Sequence, residues 1–232
     1  MELSGSDEHH RDVTSGGFRA ALFGLADGLV TNASLILGFA GASPGHSVVR
    51  LAGIGGLVAG AFSMATGEYI SVLSQKELFE YEIEVERRAL EASPDEEMRE
   101  LAAIFLKRGV EMDVAERLAA DLMRNPELAL RTHAREELGI DPDAIASPWI
   151  AAYSSFAMFS IGAFIPLLPW LFTARGNPLA LSLVLTALAS AAVGAAVGWF
   201  THRGMVFAAL RSLAITTLAA GVTFLVGHFV GS

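Results

Sequence analysis

The chain has 232 residues, of which 53% are hydrophobic and 23 are glycine, and its formal net charge is −9. This composition favours a small polytopic membrane protein over a soluble domain, and no basic patch suggests a nucleic-acid partner. Because the chain contains no cysteine, disulfides, thiolate metal sites and a cysteine nucleophile are excluded.

The first 16 residues are polar, and we expect a disordered tail there. Its sequence Asp7-Glu8-His9-His10 could chelate a metal weakly, although a solvated tail is the simpler interpretation. The start lacks a basic region followed by an apolar run, so no signal peptide is predicted.

Five apolar segments are long enough to cross a bilayer, which requires roughly 20 residues. Their approximate limits are 18–42, 48–73, 149–172, 179–200 and 205–230. In the third segment, Pro166 and Pro169 predict a kink or a break. In the fourth, Ser190, Gly194 and Gly198 form a stripe of small residues.

The acidic residues are concentrated between the second and third apolar segments. Residues 74–147 contain 19 of the 25 acidic and 10 of the 16 basic side chains, which accounts for the whole net charge. We therefore predict an all-α membrane protein with five transmembrane helices and a helical insert. Its four parts are a tail (1–16), spans one and two (17–73), the insert (74–147) and spans three to five (148–232).

The arginines predict the orientation. With five spans, four arginines outside the insert share one side of the membrane with the tail and the insert, and two lie on the other side. The first group is Arg11, Arg19, Arg203 and Arg211, and the second is Arg50 and Arg175. Positive residues favour the cytoplasmic side, so we expect a cytoplasmic tail and insert and a C-terminus on the opposite side.

Asp27 and Glu68 are the only acids within the spans. Such carboxylates usually mark an ion path, a proton relay or a buried partner. The alternative is an interfacial salt bridge to Arg19 or Arg211. Glu68 also shares a helix face with Met64 and two glycines four residues apart, a pattern that equally suits close helix packing.

Three helices are predicted within the insert after the second span. Ser93-Pro94 opens a helix that continues to about Arg108, and Asp113 opens a second. Asn125-Pro126 opens a third, which we expect to end at Gly139.

Pairs of acidic or histidine side chains recur at helical spacing in the insert. They are Glu82 with Glu86, Glu97 with Glu100, and His133 with Glu137. Paired helices can gather such groups around a cation, and carboxylates with an imidazole suit Mn(II) or Fe(II). A merely solvated acidic face is the alternative. The insert has no Glu-x-x-His pair, so a di-iron oxidase of the usual bundle pattern is not supported.

Five stretches together resemble one family. They are ADGLVTNASLILGFAGA, AFSMATGEYISVLSQ, SPDEEMRELAAIFLKRGV, NPELALRTHAREELGI and ALASAAVGAAVGWF. This sequence is similar to the vacuolar iron transporter family, which includes plant nodulin-21-like proteins and bacterial membrane proteins. The resemblance implies a homodimeric antiporter that exchanges cytosolic Fe(II) for protons, with the metal as substrate and no separate cofactor. We expect it in a bacterial inner membrane.

By position, the resemblance implies that Asp27 is the carboxylate and Met64 the thioether of the transport path, lined by the first spans of both protomers. It also implies that the insert captures metal through glutamates that match Glu86, Glu97, Glu100 and Glu137. The plant carriers have glutamate at Gly56 and Ala89, a methionine pair at His133 and Ala134, and glycine at Glu68. Mn(II) is therefore a rival substrate.

Two functions of other classes remain open at this point. One is a membrane-tethered ferroxidase that uses the carboxylates and histidine of the insert. The other is a scaffold or sensor that binds metal without transporting it.

Overall fold

The computed structural model describes residues 16–42, 45–172 and 176–231. The tail residues 7–10, for which weak metal chelation was the alternative to a solvated tail, lie outside these ranges. Every regular element in the described residues is helical. In chain order the helices are α1 (Gly16–Gly41), α2 (His46–Ala92), α3 (Pro94–Lys107), α4 (Met112–Met123), α5 (Pro126–Glu136), α6 (Pro148–Phe172), α7 (Pro178–Phe200) and α8 (Met205–Gly231), with a 3-10 turn at Pro142–Ala144.

The chain divides into two compact units. The first, called the membrane unit here, comprises the described residues up to Ile70 and those from Pro148 onwards, and the second is the insert, Ser71–Ser147. Helix α2 contributes residues to both. Five helices are long and apolar enough to cross a membrane, which confirms the predicted number of spans among the described residues.

Helix α1 is central to the membrane unit, where it packs against α6, α7 and α8. The contact with α6 is a close backbone approach, because a Cβ at Gly28 would collide with the Phe159 backbone and one at Gly162 with the Leu25 backbone. Small residues permit this approach in helices that span membranes. The predicted stripe of α7 has the same role, since Gly194 and Gly198 pack against the start of α8.

Helix α6 is not broken at its prolines. It runs through Pro166 and Pro169 to Phe172, so the expectation of a break is wrong. Neighbouring helices donate side-chain hydrogen bonds to this segment, from Asn32 Nδ2 to the Ala163 carbonyl at 2.6 Å and from Ser182 Oγ to the Pro166 carbonyl at 2.7 Å. These two bonds tie the proline-containing segment of α6 to α1 and α7.

The insert contains the three predicted helices, with differences at their ends. Asn125 caps α5 as expected, accepting hydrogen bonds from the Glu127 and Leu128 amides. Ser93 occupies the N-cap of α3 without a side-chain capping bond, and α4 begins one residue before Asp113.

Helix α5 ends at Glu136 rather than at Gly139. The amide of Ile140 donates to the Ala134 carbonyl at 2.8 Å, and Gly139 has a φ of +67°. This glycine turns the chain out of the helix, and the bond from Ile140 satisfies a carbonyl that the helix leaves free. The turn leaves Glu137 at the C-cap of α5.

Candidate functional site

Four side chains of the insert converge on one point. They are Glu86 from α2, Glu97 from α3, and His133 and Glu137 from α5 and its C-cap. The Nδ1 atom of His133 lies 3.0 Å from a Glu86 oxygen, 3.4 Å from a Glu137 oxygen and 3.8 Å from a Glu97 oxygen. Each residue offers one ligand atom, and all four atoms lie within 4.8 Å of one another. We call this group the insert cluster.

The insert cluster has dimensions that fit a single transition-metal ion. Ligand bonds of about 2.1 Å place neighbouring ligand atoms about 3 Å apart and opposite ones about 4.2 Å apart. Three carboxylates and one imidazole suit Fe(II), Mn(II) or Zn(II) better than Mg(II) or Ca(II).

Hydrogen bonding within the protein does not satisfy the insert cluster. One imidazole nitrogen cannot donate to three carboxylates, since it carries at most one proton. His133 Nε2 is buried and has no hydrogen-bond partner among the described residues. Glu86 Oε1 is also buried, and although it lies 3.0 Å from His133 Nδ1, the two atoms are not in hydrogen-bonding geometry. Buried polar atoms are usually paired, so these two favour a site built for an added ligand over a solvated acidic face.

The electrostatics of the insert cluster favour a bound proton or cation. Burial, and to a smaller extent the charges of Glu137, Glu97 and Glu100, together raise the pKa of Glu86 from its ordinary 4.5 to about 7. Burial and then Glu100 also raise the pKa of Glu97, while His133 opposes this increase. A metal ion would relieve the repulsion among the carboxylates, so metal and proton compete for the site.

Two predicted ligands, Glu100 and Glu82, lie outside the insert cluster. Glu100 is exposed and acts on Glu86 and Glu97 through its charge. Glu82, one turn before Glu86, is half-buried.

In the membrane unit, Asp27 is half-buried on α1. Thr31, one turn later, is exposed and donates a hydrogen bond from its hydroxyl to Asp27 Oδ1 at 3.2 Å. The carboxylate therefore lies near the surface of the single chain and not in its core.

Met64 is half-buried and packs against a small cluster that contains Ala61, Phe159 and Ala163. The two glycines on the same face of α2 are packing residues. A Cβ at Gly56 would meet the side chains of Leu35 and Asn32, and one at Gly60 would meet the ring of Phe159. The face thus combines close packing at its glycines with a thioether and a carboxylate further along.

Glu68 forms an ion pair with Arg19 of α1, at 3.5 Å between Oε2 and Nη2. The sequence analysis considered a salt bridge to Arg19 or Arg211 as an alternative to an ion path, and in the structure Glu68 pairs with Arg19. The glutamate side chain is 12% exposed, whereas that of the arginine is 69% exposed.

A comparison with known families matches the model described as the VIT family over residues 18–228. The chain belongs to the VIT family. It is similar to a vacuolar iron transporter of Acanthamoeba castellanii, with 38% identity over 95% of this chain and 82% of the relative. A vacuolar iron transporter 1 of Oryza sativa subsp. japonica is 33% identical, with 95% and 89% coverage, and one of Arabidopsis thaliana is 29% identical, with 96% and 91% coverage.

Membership of the VIT family confirms the resemblance inferred from the sequence motifs. The relatives are named as transporters, which agrees with the expectation that this VIT-family chain is a transporter and not an enzyme. The chain is a multi-pass membrane protein by its five apolar helices and by these relatives.

Sequence reasoning missed one buried polar residue in this VIT-family chain. Asn32 lies in the middle of α1 with no exposed surface, bonds the Ala163 carbonyl and leaves its Oδ1 without a hydrogen-bond partner among the described residues. A lone amide inside an apolar span was the available signal, because polar groups inside a membrane are costly and rarely without a role.

Proposed function

We propose that this VIT-family protein is an antiporter that moves a divalent transition metal out of the cytosol in exchange for protons. The observation that carries the proposal is the insert cluster, whose four ligand atoms suit a transition metal and whose Glu86 has a pKa near 7. Relatives named vacuolar iron transporters favour Fe(II) as the substrate. Mn(II) is the second candidate, since carboxylates suit it equally well.

In this proposal the insert captures the metal on the cytoplasmic side. Glu86, Glu97, His133 and Glu137 bind the ion, while Glu100 and Glu82 add negative charge nearby. Because the pKa of Glu86 is near 7, the insert cluster releases its proton when metal binds and takes it back when metal leaves.

The membrane unit supplies the transport path. Asp27 and Glu68 are carboxylates that can hold either a proton or a metal ion, and Met64 adds a soft ligand that Mg(II) and Ca(II) use little. Because Thr31 and part of Asp27 are exposed in the single chain, we place the path where two protomers meet along their first two helices.

Exchange for protons solves an energetic problem. Moving two charges against 100 mV costs about 4.6 kcal/mol, at about 2.3 kcal/mol per charge. Two protons that move in the opposite direction cancel this charge movement. The arginine distribution supports a cytoplasmic insert.

Uptake into proteoliposomes tests the proposal. We expect Fe(II) and Mn(II) uptake that rises when the proton gradient is directed out of the proteoliposomes, so that protons leave as metal enters. Mg(II) is the matched control, for which we expect little uptake. Metal binding without any flux would favour the scaffold or sensor instead. Dioxygen consumption with Fe(II), in the absence of flux, would favour the ferroxidase.

A further inference from the structure

The ion pair between Arg19 and Glu68 is asymmetric in its exposure. The glutamate side chain is 12% exposed, so most of it lies inside the membrane unit. The arginine side chain is 69% exposed and reaches the carboxylate from the surface through one contact of 3.5 Å. Among the described residues, Arg19 is the one cation paired with Glu68.

Two contacts fix how α1 and α2 run past each other. Arg19 meets Glu68, and a Cβ at Gly56 would lie 2.7 Å from Asn32 Oδ1. As the residue number rises along α1, the number of the α2 residue beside it falls, so the two helices are antiparallel.

The antiparallel arrangement of α1 and α2 determines the order in which Glu68, Met64 and Asp27 follow one another along the membrane unit. With a rise of about 1.5 Å per residue, Met64 lies about 6 Å from the level of the ion pair and Asp27 about 12 Å from it. Glu68 is therefore the first of the three that an ion meets when it enters from the end of α1 where Arg19 lies. Glu68 is also three positions before the insert begins at Ser71.

A largely buried carboxylate needs a compensating charge, which Arg19 provides through a flexible and mostly exposed side chain. A dication bound at Glu68 provides that charge as well and makes the guanidinium superfluous. The two cations then exclude each other, because both would bring positive charge to the same carboxylate. An exposed guanidinium can return to water at little cost, so this exclusion is modest in size.

We propose that Arg19 is an internal competitor of the transported metal, whose guanidinium must leave Glu68 before a dication binds there. This inference rests on the proposed transport function and assigns Arg19 as a residue that sets the apparent metal affinity at the entrance to the path. It makes Arg19 a positioning residue that acts through Glu68, and not a ligand of the metal.

The test measures initial Mn(II) uptake against Mn(II) concentration in proteoliposomes that contain the full-length protein. Arg19→Gln should lower KM about threefold to tenfold, because the competitor is gone. In the Glu68→Gln background the same change should leave KM as it is in Glu68→Gln alone. Arg211→Gln, which removes an exposed arginine of α8, is the matched control for loss of one positive charge and should leave KM unchanged.

A binding readout keeps the inference testable if a variant transports poorly. Trp149, Trp170 and Trp199 all lie in the membrane unit, so the tryptophan-detected unfolding midpoint reports on that unit. A given Mn(II)-induced shift of this midpoint should require a lower Mn(II) concentration in Arg19→Gln than in the wild type.

An unchanged or raised KM in Arg19→Gln would overturn the inference, and so would an equal decrease in KM with and without Glu68. Wild-type protein without any Mn(II) flux would instead contradict the proposed transport function. In that case the competition would still be decided by the concentration dependence of the unfolding midpoint.

Discussion

Replacing Glu86 with glutamine should stabilise the metal-free insert at alkaline pH while it weakens metal binding. Burial and three neighbouring glutamates raise the pKa of Glu86 from 4.5 to about 7, so its ionised form is disfavoured in the folded insert. The side chain is only 9% exposed, which limits screening by solvent. A shift of about 2.5 pH units corresponds to about 3 kcal/mol, at 1.36 kcal/mol per unit.

The pH window follows from the direction of the shift. Below pH 4.5 Glu86 is protonated in both the folded and the unfolded states, so its contribution to stability is complete. As the pH rises through about 7, ionisation in the unfolded state is favoured over ionisation in the folded state, and this contribution is lost. Glu86→Gln should therefore be close to the wild type near pH 4 and exceed it by about 3 kcal/mol near pH 8.

Hydrogen exchange of the full-length protein is the suitable assay, because all three tryptophans lie outside the insert. At pH 8 without metal, amides of α3 and α5 should be protected in the variant by a factor on the order of 100 above the wild type, since 1.4 kcal/mol corresponds to tenfold. Saturating Mn(II) should protect the wild type more than the variant.

Glu91→Gln removes an exposed charge from the same helix and is the matched control, with a small expected effect. Weaker protection in Glu86→Gln than in the wild type at pH 8 would refute the reasoning. It would mean that ionised Glu86 stabilises the insert, as in a stable ion pair with His133.

Further predictions concern metal binding, selectivity and topology. Metal affinity of the insert should fall as the pH drops below 7, because protons compete for Glu86, and calorimetry at several pH values measures this. Glu97→Gln combined with Glu100→Gln should weaken binding at least tenfold, and an unchanged affinity would leave the acidic face as mere solvation. Met64→Leu conserves volume but removes the soft ligand, so uptake should fall more for Fe(II) than for Mn(II); equal losses would mean that the methionine only shapes the path. Reporters after Ser232 and within residues 91–95 should lie on opposite sides of the membrane, and a shared side would contradict the orientation.

Local sequence signals predicted the helices of the fold well. Long apolar segments give the five spans, and proline and asparagine caps give the starts of α3 and α5. The break that the prolines of α6 suggested does not occur, and Asn32 and Ser182 on other helices donate hydrogen bonds to carbonyls of that segment. The end of α5 was placed three residues late, since the capping bond of Ile140 depends on the turn beyond the helix.

The candidate site was only partly predictable, because spacing along one helix does not say which helices meet. Helical spacing selected Glu97 and Glu100 together, yet only Glu97 belongs to the insert cluster. The partner of Glu68 likewise depends on the antiparallel arrangement of α1 and α2. Spacing along the sequence alone gave no way to choose Arg19 over Arg211.

We propose that metal and protons cross this protein in opposite directions through Asp27. The most direct test records Fe(II) uptake and internal pH together in proteoliposomes, for wild type and Asp27→Asn at matched protein density. We expect metal entry and proton exit to occur together in the wild type and both to cease in Asp27→Asn, because the amide keeps the packing but holds neither ion. Wild-type flux of metal and protons through Asp27→Asn, or metal uptake without proton movement in the wild type, would contradict it.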